Sequence, residues 1–234
     1  VSHLTDVPTD LNLEILYSDI ASQIGLFLNT DLDPNTARIL NNTWGEVRFD
    51  KEKAETAYRY SNKQHPLHTD HSTISVDLGI SFLICEQAAV SGGETLFLDQ
   101  EVLLKHLEKY DPGLLHDLTS IPIEMERPGP SPTRHISRII DTDDQGLILN
   151  WNYFRVADSN TDHAKDIAER FHTFLNKNIV ERGLTYALNL KKGEGVFFHD
   201  NRVLHGRNAF KGDRFLKKGT IVIDNIEAVK KVFQ

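Results

Sequence analysis

His68 and Asp70 stand two residues apart in QHPLHTDHS, and His205 stands far downstream in FFHDNRVLHGRNAF. Two imidazoles and one carboxylate make a ligand set that can hold one face of a divalent iron and leave the opposite face open for chemistry. In a strand, residues i and i+2 point to the same side, so His68 and Asp70 can converge on one ion if their segment is extended. With 11 His and 34 acidic residues in 234, chance alone gives about 1.6 H-x-[DE] triplets. The chain has two. The other, His106-Leu107-Glu108, lies in a helical pattern where i and i+2 do not face each other, so it is the chance match. Taken alone, His68-Thr69-Asp70 would read as a strand-end histidine and a turn aspartate. The motifs around it decide otherwise.

The elements that must position these residues come from periodicity. Residues 11–28 place Leu13, Leu16, Ile20, Ile24 and Phe27 at helical spacing, with Asp10 as the expected N-cap. A second helix is expected over 99–110, preceded by Asp99 and stopped by Asp111-Pro112-Gly113. A third, over 162–183, turns Ile167, Phe171 and Phe174 inward and ends at Gly183. Short β-rich runs occupy 72–86, 92–99, 146–154, 184–190, 193–200 and 216–225, punctuated by turn residues. The Pro-rich stretch 126–135 is expected to form a long mobile loop. Many short strands with a few helices predict a mainly β fold, a jelly roll with inserted helices, over a single domain spanning 1–234.

Bulk composition narrows the setting. A formal charge of −8 and a pI near 5.7 argue against a nucleic-acid-binding surface. No segment approaches the roughly 20 apolar residues of a membrane span. Cys85, the single cysteine, lies in the apolar run ISFLICEQ and reads as a small buried side chain. The absence of an internal disulfide fits a reducing compartment, and a cytoplasmic location is expected. A start at Val1 is compatible with N-terminal trimming and leaves an upstream targeting segment open.

The order of motifs resembles the iron(II)/2-oxoglutarate-dependent oxygenases of the taurine dioxygenase-like superfamily, with its γ-butyrobetaine hydroxylase and clavaminate synthase-like branches. In that superfamily an H-x-[DE] pair is followed by a GG-x-T segment, a distal NR-x-x-H and an arginine. Here the parts are HTD at 68–70, SGGETLFLD at 91–99, DNRVLHGRNAF at 200–210 and DRFLKKG at 213–219. The resemblance implies a double-stranded β-helix core with Fe(II), 2-oxoglutarate and dioxygen as cofactor and cosubstrates. It implies His68, Asp70 and His205 as iron ligands. Thr95 and Arg214 fall where the family holds the distal carboxylate of 2-oxoglutarate. An arginine suits that task because its planar fork holds a carboxylate through two parallel hydrogen bonds. The connection from HGR to DRFLKK is shorter than in clavaminate synthase-like relatives, so Arg207 competes with Arg214 for this role, with Arg214 preferred.

The same resemblance places substrate contacts at Asn152 and Arg155, with Arg207 and Lys218 as further candidates. His65, His71 and His199 are assigned supporting roles. Trp151 and Phe154, aromatic residues in a β-rich stretch, are expected in the core more than at a site. The function implied is hydroxylation of a C–H bond in a small polar metabolite, an amino acid or derivative, with 2-oxoglutarate converted to succinate and CO2. Asp70 disfavours halogenation, since related halogenases lack the carboxylate. A sulfonate or betaine-like substrate is the alternative. A non-catalytic jelly roll retaining a metal, and a zinc hydrolase built on His2Asp, are the readings from other classes. Neither of those needs a carboxylate clamp at Thr95 and Arg214. The substrate, the oxidised carbon and the oligomeric state are left open.

Overall fold

The structure is a computed structural model, and it describes residues 1–8, 10–28, 44–55, 58–129, 132–224 and 226–233. Along the chain run β1 (Ser2–Leu4), α1 (Leu13–Ile24), β2 (Leu26–Leu28), β3 (Gly45–Arg48), β4 (His65–His68), β5 (Ile80–Gln87), β6 (Ser91–Gly92) and β7 (Thr95–Leu98). Helices α2 (Gln100–Tyr110) and α3 (Pro112–Ser120) follow, then β8 (Ile123–Arg127), β9 (Thr133–Ser137), β10 (Ile140–Asp143) and β11 (Gly146–Leu149). Then come α4 (Asp162–Phe174), β12 (Tyr186–Leu188), β13 (Gly195–His199), β14 (Leu204–Arg207), β15 (Phe210–Lys211), β16 (Phe215–Val222) and α5 (Ile226–Phe233).

Two antiparallel sheets organise these elements. The larger has the order β1-β13-β5-β16-β2, with β3 also paired to β16; the smaller has the order β12-β7-β14-β4. Period-two alternation sorts their side chains. Leu83 and Cys85 of β5, Val196 and Phe198 of β13, Leu216 of β16, Phe97 of β7 and Leu188 of β12 join in one buried cluster between the sheets. The alternate residues Phe82, Ile84, Phe197 and Ile221 pack outward against Leu13, Tyr17 and Ala21 of α1. On the smaller sheet, Leu67, Leu96, Leu98 and Leu204 turn outward onto α2, α3 and α4. Parity then fixes the site: if Leu204 faces the helices, His205 and Arg207 face the inter-sheet space. Likewise Thr95 shares the inward face of β7 with Phe97, and Lys218 shares that of β16 with Leu216.

Local chemistry explains where the structure departs from periodicity. Helix α1 begins at Leu13, so its cap is Asn12, whose Oδ1 accepts from Ile15 N at 3.1 Å; Asp10 is too far upstream. Its buried face is Leu13, Tyr17 and Ala21, while Ile24 is 46% exposed and Phe27 has moved onto β2. The run 72–86 is extended strand only from Ile80, after Gly79 turns the chain at φ 78°. Helix α2 is capped by Asp99 as expected. Asp111-Pro112-Gly113 ends it and also starts α3: Pro112 occupies the first helical turn, where no N–H is needed, and Asp111 accepts from Leu114 N at 2.9 Å.

The stretch 126–135 is mostly a hairpin. β8 and β9 pair from Ile123↔Ser137 to Arg127↔Thr133, and Arg134 bridges to Glu124 and Glu126 across them. Residues 130 and 131 lie outside the described residues. The run 146–154 leaves its strand at Leu149 and closes in a 3-10 turn, Tyr153–Arg155. The 162–183 segment is α-helical to Phe174 and then widens into a π-helical turn, Leu175–Val180, before Gly183 at φ 65°. No helix among the described residues is long and apolar enough to cross a membrane.

Gly206 permits the close approach on which the site depends. A Cβ there would lie 2.8 Å from His65 O and 3.2 Å from Leu67 N, where β14 and β4 shift register between His205 and Arg207. Gly206→Ala is expected to force the strands apart and to destabilise the chain by about 1–3 kcal/mol, the usual cost of overpacking. Urea unfolding measures it; an unchanged midpoint would show that β4 yields freely.

Candidate metal centre and its surroundings

His68 ends β4 and lies directly across from His205 on β14. A carbonyl only accepts, so the 2.9 Å contact between His68 Nδ1 and Pro66 O places the ring proton on Nδ1 and leaves the Nε2 lone pair free. Nε2 faces Asp70 Oδ1 at 3.7 Å, and His205 Nε2 faces Asp70 Oδ2 at 3.6 Å. One ligand atom from each residue lies within 4.8 Å of the others. Neutral imidazoles and a carboxylate at this spacing fit a divalent transition metal bound on one face.

Two devices hold the triplet in place. Thr69 N donates to Trp151 O at 2.6 Å, and Trp151 N donates back to Thr69 Oγ1 at 3.2 Å. Buried Asp200 accepts from Asp70 N at 3.0 Å, from His71 N at 3.2 Å and from His71 Nδ1 at 3.0 Å. Asp200 Oδ1 also lies 3.9 Å from His205 Nδ1, so one carboxylate touches the surroundings of two ligands. Asp200 was not singled out by sequence reading, although it opens the DNRVLHGR motif. Its polar partners are far apart in the chain, which hides them from any local pattern. His71 has the supporting place expected of it, whereas His199 faces Asp77 at 3.6 Å. The chance triplet is disposed of by geometry: His106 Nδ1 bonds the Val102 carbonyl within α2.

The electrostatics favour ligand protonation states that can bind a cation. Burial opposes the Asp70 charge, but Lys218, His205 and His68 outweigh it and hold the carboxyl well below the usual range. Burial, reinforced by His68, pushes the His205 imidazolium down to about 4. Burial and the same neighbour hold His65 well below its ordinary value. Both rings are therefore neutral near pH 7.

The remaining expected residues divide clearly. Thr95 is buried on β7 opposite Arg207. Arg207, offered both as a carboxylate anchor and as a substrate contact, is committed elsewhere. Its Nη2 donates to Ser61 O and Lys63 O at 2.7 Å each and to Tyr58 O at 3.4 Å, which ties β14 to the segment before β4. Arg214 is 6% exposed, with its guanidinium over the Phe210 ring at 5.7 Å and no hydrogen bond or ion pair among the described residues. Lys218 reaches Asp70 Oδ2 at 2.5 Å, so it is neither solvated nor remote from the metal residues. Asn152 accepts from Phe154 N at 3.2 Å and caps the 3-10 turn, which accounts for its side chain structurally. Trp151 is fully buried in the core, but Phe154 is 49% exposed. Rings also run outward from the ligand His68: His65 is 3.9 Å away, Tyr58 stacks on His65 at 4.7 Å, and Phe154 meets Tyr58 at 4.8 Å between centroids.

This chain belongs to the TauD/TfdA family, described as taurine catabolism dioxygenases, whose pattern it matches over residues 18–220. Among curated relatives it is similar to the gamma-butyrobetaine dioxygenases of Homo sapiens and Pseudomonas sp. (strain AK-1). The first match is 24% identical over 65% of this chain and 41% of the relative, the second 27% over 72% and 45%. The chain thus spans less than half the length of these relatives. Solved structures with a similar fold include an asparagine oxygenase in complex with Fe(II), 3-hydroxyasparagine and succinate, with a TM-score of 0.66 and 15% identity over 89% of this chain and 64% of that one. The non-heme iron oxygenase OrfP with Fe and alpha-ketoglutaric acid superposes with a TM-score of 0.64 and 14% identity, over 93% of this chain and 66% of that one.

A pH dependence follows from the depressed histidines. His205 binds its proton near pH 6.5 when unfolded and near 4 when folded, so the unfolded chain carries more protons between those limits. Stability of the metal-free protein should therefore fall as pH drops from about 6.5 towards 4. Urea midpoints at pH 7, 6 and 5 should decrease in that order, and His205→Gln should flatten the trend. A pH-independent midpoint over that window would contradict the buried, neutral state of the ring.

Proposed function

We propose that this chain forms the catalytic jelly-roll domain of an iron(II)/2-oxoglutarate-dependent dioxygenase that hydroxylates a small polar metabolite. The observation that carries this reading is the pairing of two features. One is a His68–Asp70–His205 triad; the other is a buried arginine, Arg214, with no ion pair among the described residues. When bound, iron(II) with 2-oxoglutarate and dioxygen supplies the oxidising power, one oxygen atom passing to a C–H bond while 2-oxoglutarate becomes succinate and CO2.

The chain's own residues supply binding and order. His68 Nε2, the Asp70 carboxylate and His205 Nε2 hold the metal, with Pro66 O and Asp200 fixing their orientation. Arg214 receives the distal carboxylate of 2-oxoglutarate in its guanidinium fork, and Thr95 donates its hydroxyl to the same group. Arg207 supports that pocket by bracing β14, without binding ligand itself. Lys218 balances the Asp70 charge. The inter-sheet cluster around Phe97, Phe198 and Leu216 keeps this face of the pocket dry, which strengthens the ionic contact to the cosubstrate.

An amino acid or amino-acid derivative is the leading substrate class. The asparagine oxygenase and the OrfP structure bound to (3S)-hydroxy-L-Arg support it through their shared fold. The gamma-butyrobetaine dioxygenase relatives support a betaine-like substrate as the second reading.

Anaerobic addition of iron(II) and 2-oxoglutarate should give the weak visible band of a chelated keto acid, and alanine at His68, Asp70 or His205 should abolish it. Retention of the band in all three variants would sink the triad. Arg214→Ala should raise the 2-oxoglutarate requirement by an amount equivalent to about 2–5 kcal/mol. Thr95→Val should cost about 1 kcal/mol. Arg207→Ala should mainly lower stability; a large cosubstrate effect there, with none at Arg214, would reverse the assignment. With the right substrate, 2-oxoglutarate consumption should accelerate and the product should gain about 16 mass units, one oxygen atom from labelled dioxygen. Absence of any 2-oxoglutarate consumption across amino-acid and betaine panels, with iron bound, would favour a non-catalytic binding protein.

A further inference from the structure

Two adjacent lysines of β16 are spent in opposite ways. Strand alternation sends Lys217 outward, where it pairs with Glu14 of α1 and with Glu86 of β5. Lys218 turns inward, in register with Leu83 of β5, a member of the inter-sheet apolar cluster. Its side chain is only 14% exposed, and its ammonium makes one ion pair among the described residues, with Asp70 Oδ2 at 2.5 Å. A cation so placed stands on apolar ground and depends on that carboxylate.

The oxygen that Lys218 touches is also one that faces the metal residues. Oδ2 lies 3.6 Å from His205 Nε2, and Oδ1 of the same carboxylate lies 3.7 Å from His68 Nε2. The approach of Lys218 is ionic: buried Oδ2 accepts no aligned hydrogen bond, so its charge is balanced while its lone pairs are uncommitted. A divalent ion held by His68, Asp70 and His205 would take those electrons beside an ammonium resting on the same group. Asp70 is the one acid of the triad. The next carboxylate, Asp200, is engaged by His71 and by the backbone N–H groups of Asp70 and His71. One negative charge thus serves two cations.

We propose that Lys218 sets the metal affinity of this centre: its ammonium and a divalent cation contend for the Asp70 carboxylate, so loading the metal costs the lysine its counter-ion. The inference rests on the metal-binding reading of His68, Asp70 and His205, and deepens it by naming the group that regulates the centre. Lysine suits the task. Its charge is compact and its four-carbon stem turns freely, so it holds the carboxylate without the fixed fork of an arginine. An ammonium has no lone pair, so Lys218 acts on the metal through Asp70 and is not itself a ligand. Because it acts through charge, its effect is alike for every divalent ion and confers no preference among them. Removing it leaves a buried carboxylate without its cation, which weakens the fold and strengthens the pull on a metal.

Manganese(II), cobalt(II) and zinc(II) are titrated calorimetrically into the full chain without 2-oxoglutarate, which reads the centre apart from turnover. Lys218→Met should lower the dissociation constant by about tenfold or more, the scale on which one charge acts on another at this distance. The factor should be similar for all three metals. Lys218→Arg, which keeps the charge, should leave the constant near that of the parent chain. The metal-free Lys218→Met protein should melt at a lower temperature than the parent, and saturating manganese(II) should raise it by more. A Lys218→Met chain that folds only with manganese(II) present supports the proposal, since the metal then supplies the missing cation. If methionine prevents folding altogether, Lys218→Gln repeats the measurement with a neutral polar tip. A lower melting temperature with unchanged or weaker metal binding makes Lys218 a structural residue and overturns the proposal, as does tightening confined to one metal. His205→Ala separates this from the reading beneath. Binding lost there but unchanged in Lys218→Met overturns only the role of Lys218. Binding indifferent to His205→Ala, or absent from both the parent and Lys218→Met, removes the triad and the proposal with it.

Discussion

The insertion of β14 between β7 and β4 is the constraint on which the remaining architecture turns. That one strand pairs Leu204–Arg207 with Thr95–Leu98 on one side and with His65–His68 on the other. Backbone hydrogen bonding therefore sets His205 opposite His68 and Arg207 opposite Thr95 before any side chain makes a choice. A one-residue slip would send His205 to the helices and Leu204 to the site, because strand side chains alternate with period two. Outward packing of Leu67, Leu96, Leu98 and Leu204 against α2, α3 and α4 forbids that slip. The helices thus contribute to the chemistry without touching it: they pin the register.

Buried charge is managed by matching. Asp70 and Asp200 are neighbours in space and would repel if left alone. Lys218 offsets the first, and His71 with backbone N–H groups offsets the second. The two buried arginines of the C-terminal segment follow opposite courses. Arg207 gives its terminal nitrogens to backbone carbonyls and works as a brace, with only Nε unpartnered, while Arg214 lies over an aromatic ring and makes no hydrogen bond or ion pair among the described residues. A buried guanidinium without an acceptor is expensive unless a ligand supplies one, so the asymmetry between the two points to where an anion belongs. Sequence spacing alone had left them in competition.

The region around the 3-10 turns extends the same logic beyond the metal residues. Asn152 spends its side chain on capping the following turn, and Phe154 in that turn is 49% exposed. Trp151, next to them, is fully buried and anchors Thr69 through its backbone. One short segment therefore joins the core to the metal triplet.

By itself the sequence determined the chemistry's inventory: the His68–Asp70 pair at strand spacing, His205, Thr95 and Arg214 in an ordered set of motifs, the helices at 100–110 and from 162, and the mainly β class. The pair and the elements were legible because i to i+2 spacing and amphipathic period are local properties, whereas the roles of His205, Thr95 and Arg214 were implied only by the resemblance of the motif order to the oxygenase superfamily. Local pattern also misled in places. It put the first helix cap at Asp10 where Asn12 serves, and it read Pro-rich 126–135 as loop because the ion pairs that close the β8–β9 hairpin lie across strands. Only the tertiary structure decided that Asp200 clamps Asp70, that Arg207 is spent on the carbonyls of Tyr58, Ser61 and Lys63, and that Lys218 faces Asp70. Each of those is a contact between residues far apart in the chain, and sheet register, which arises from the packing of the whole core, sets which of them meet.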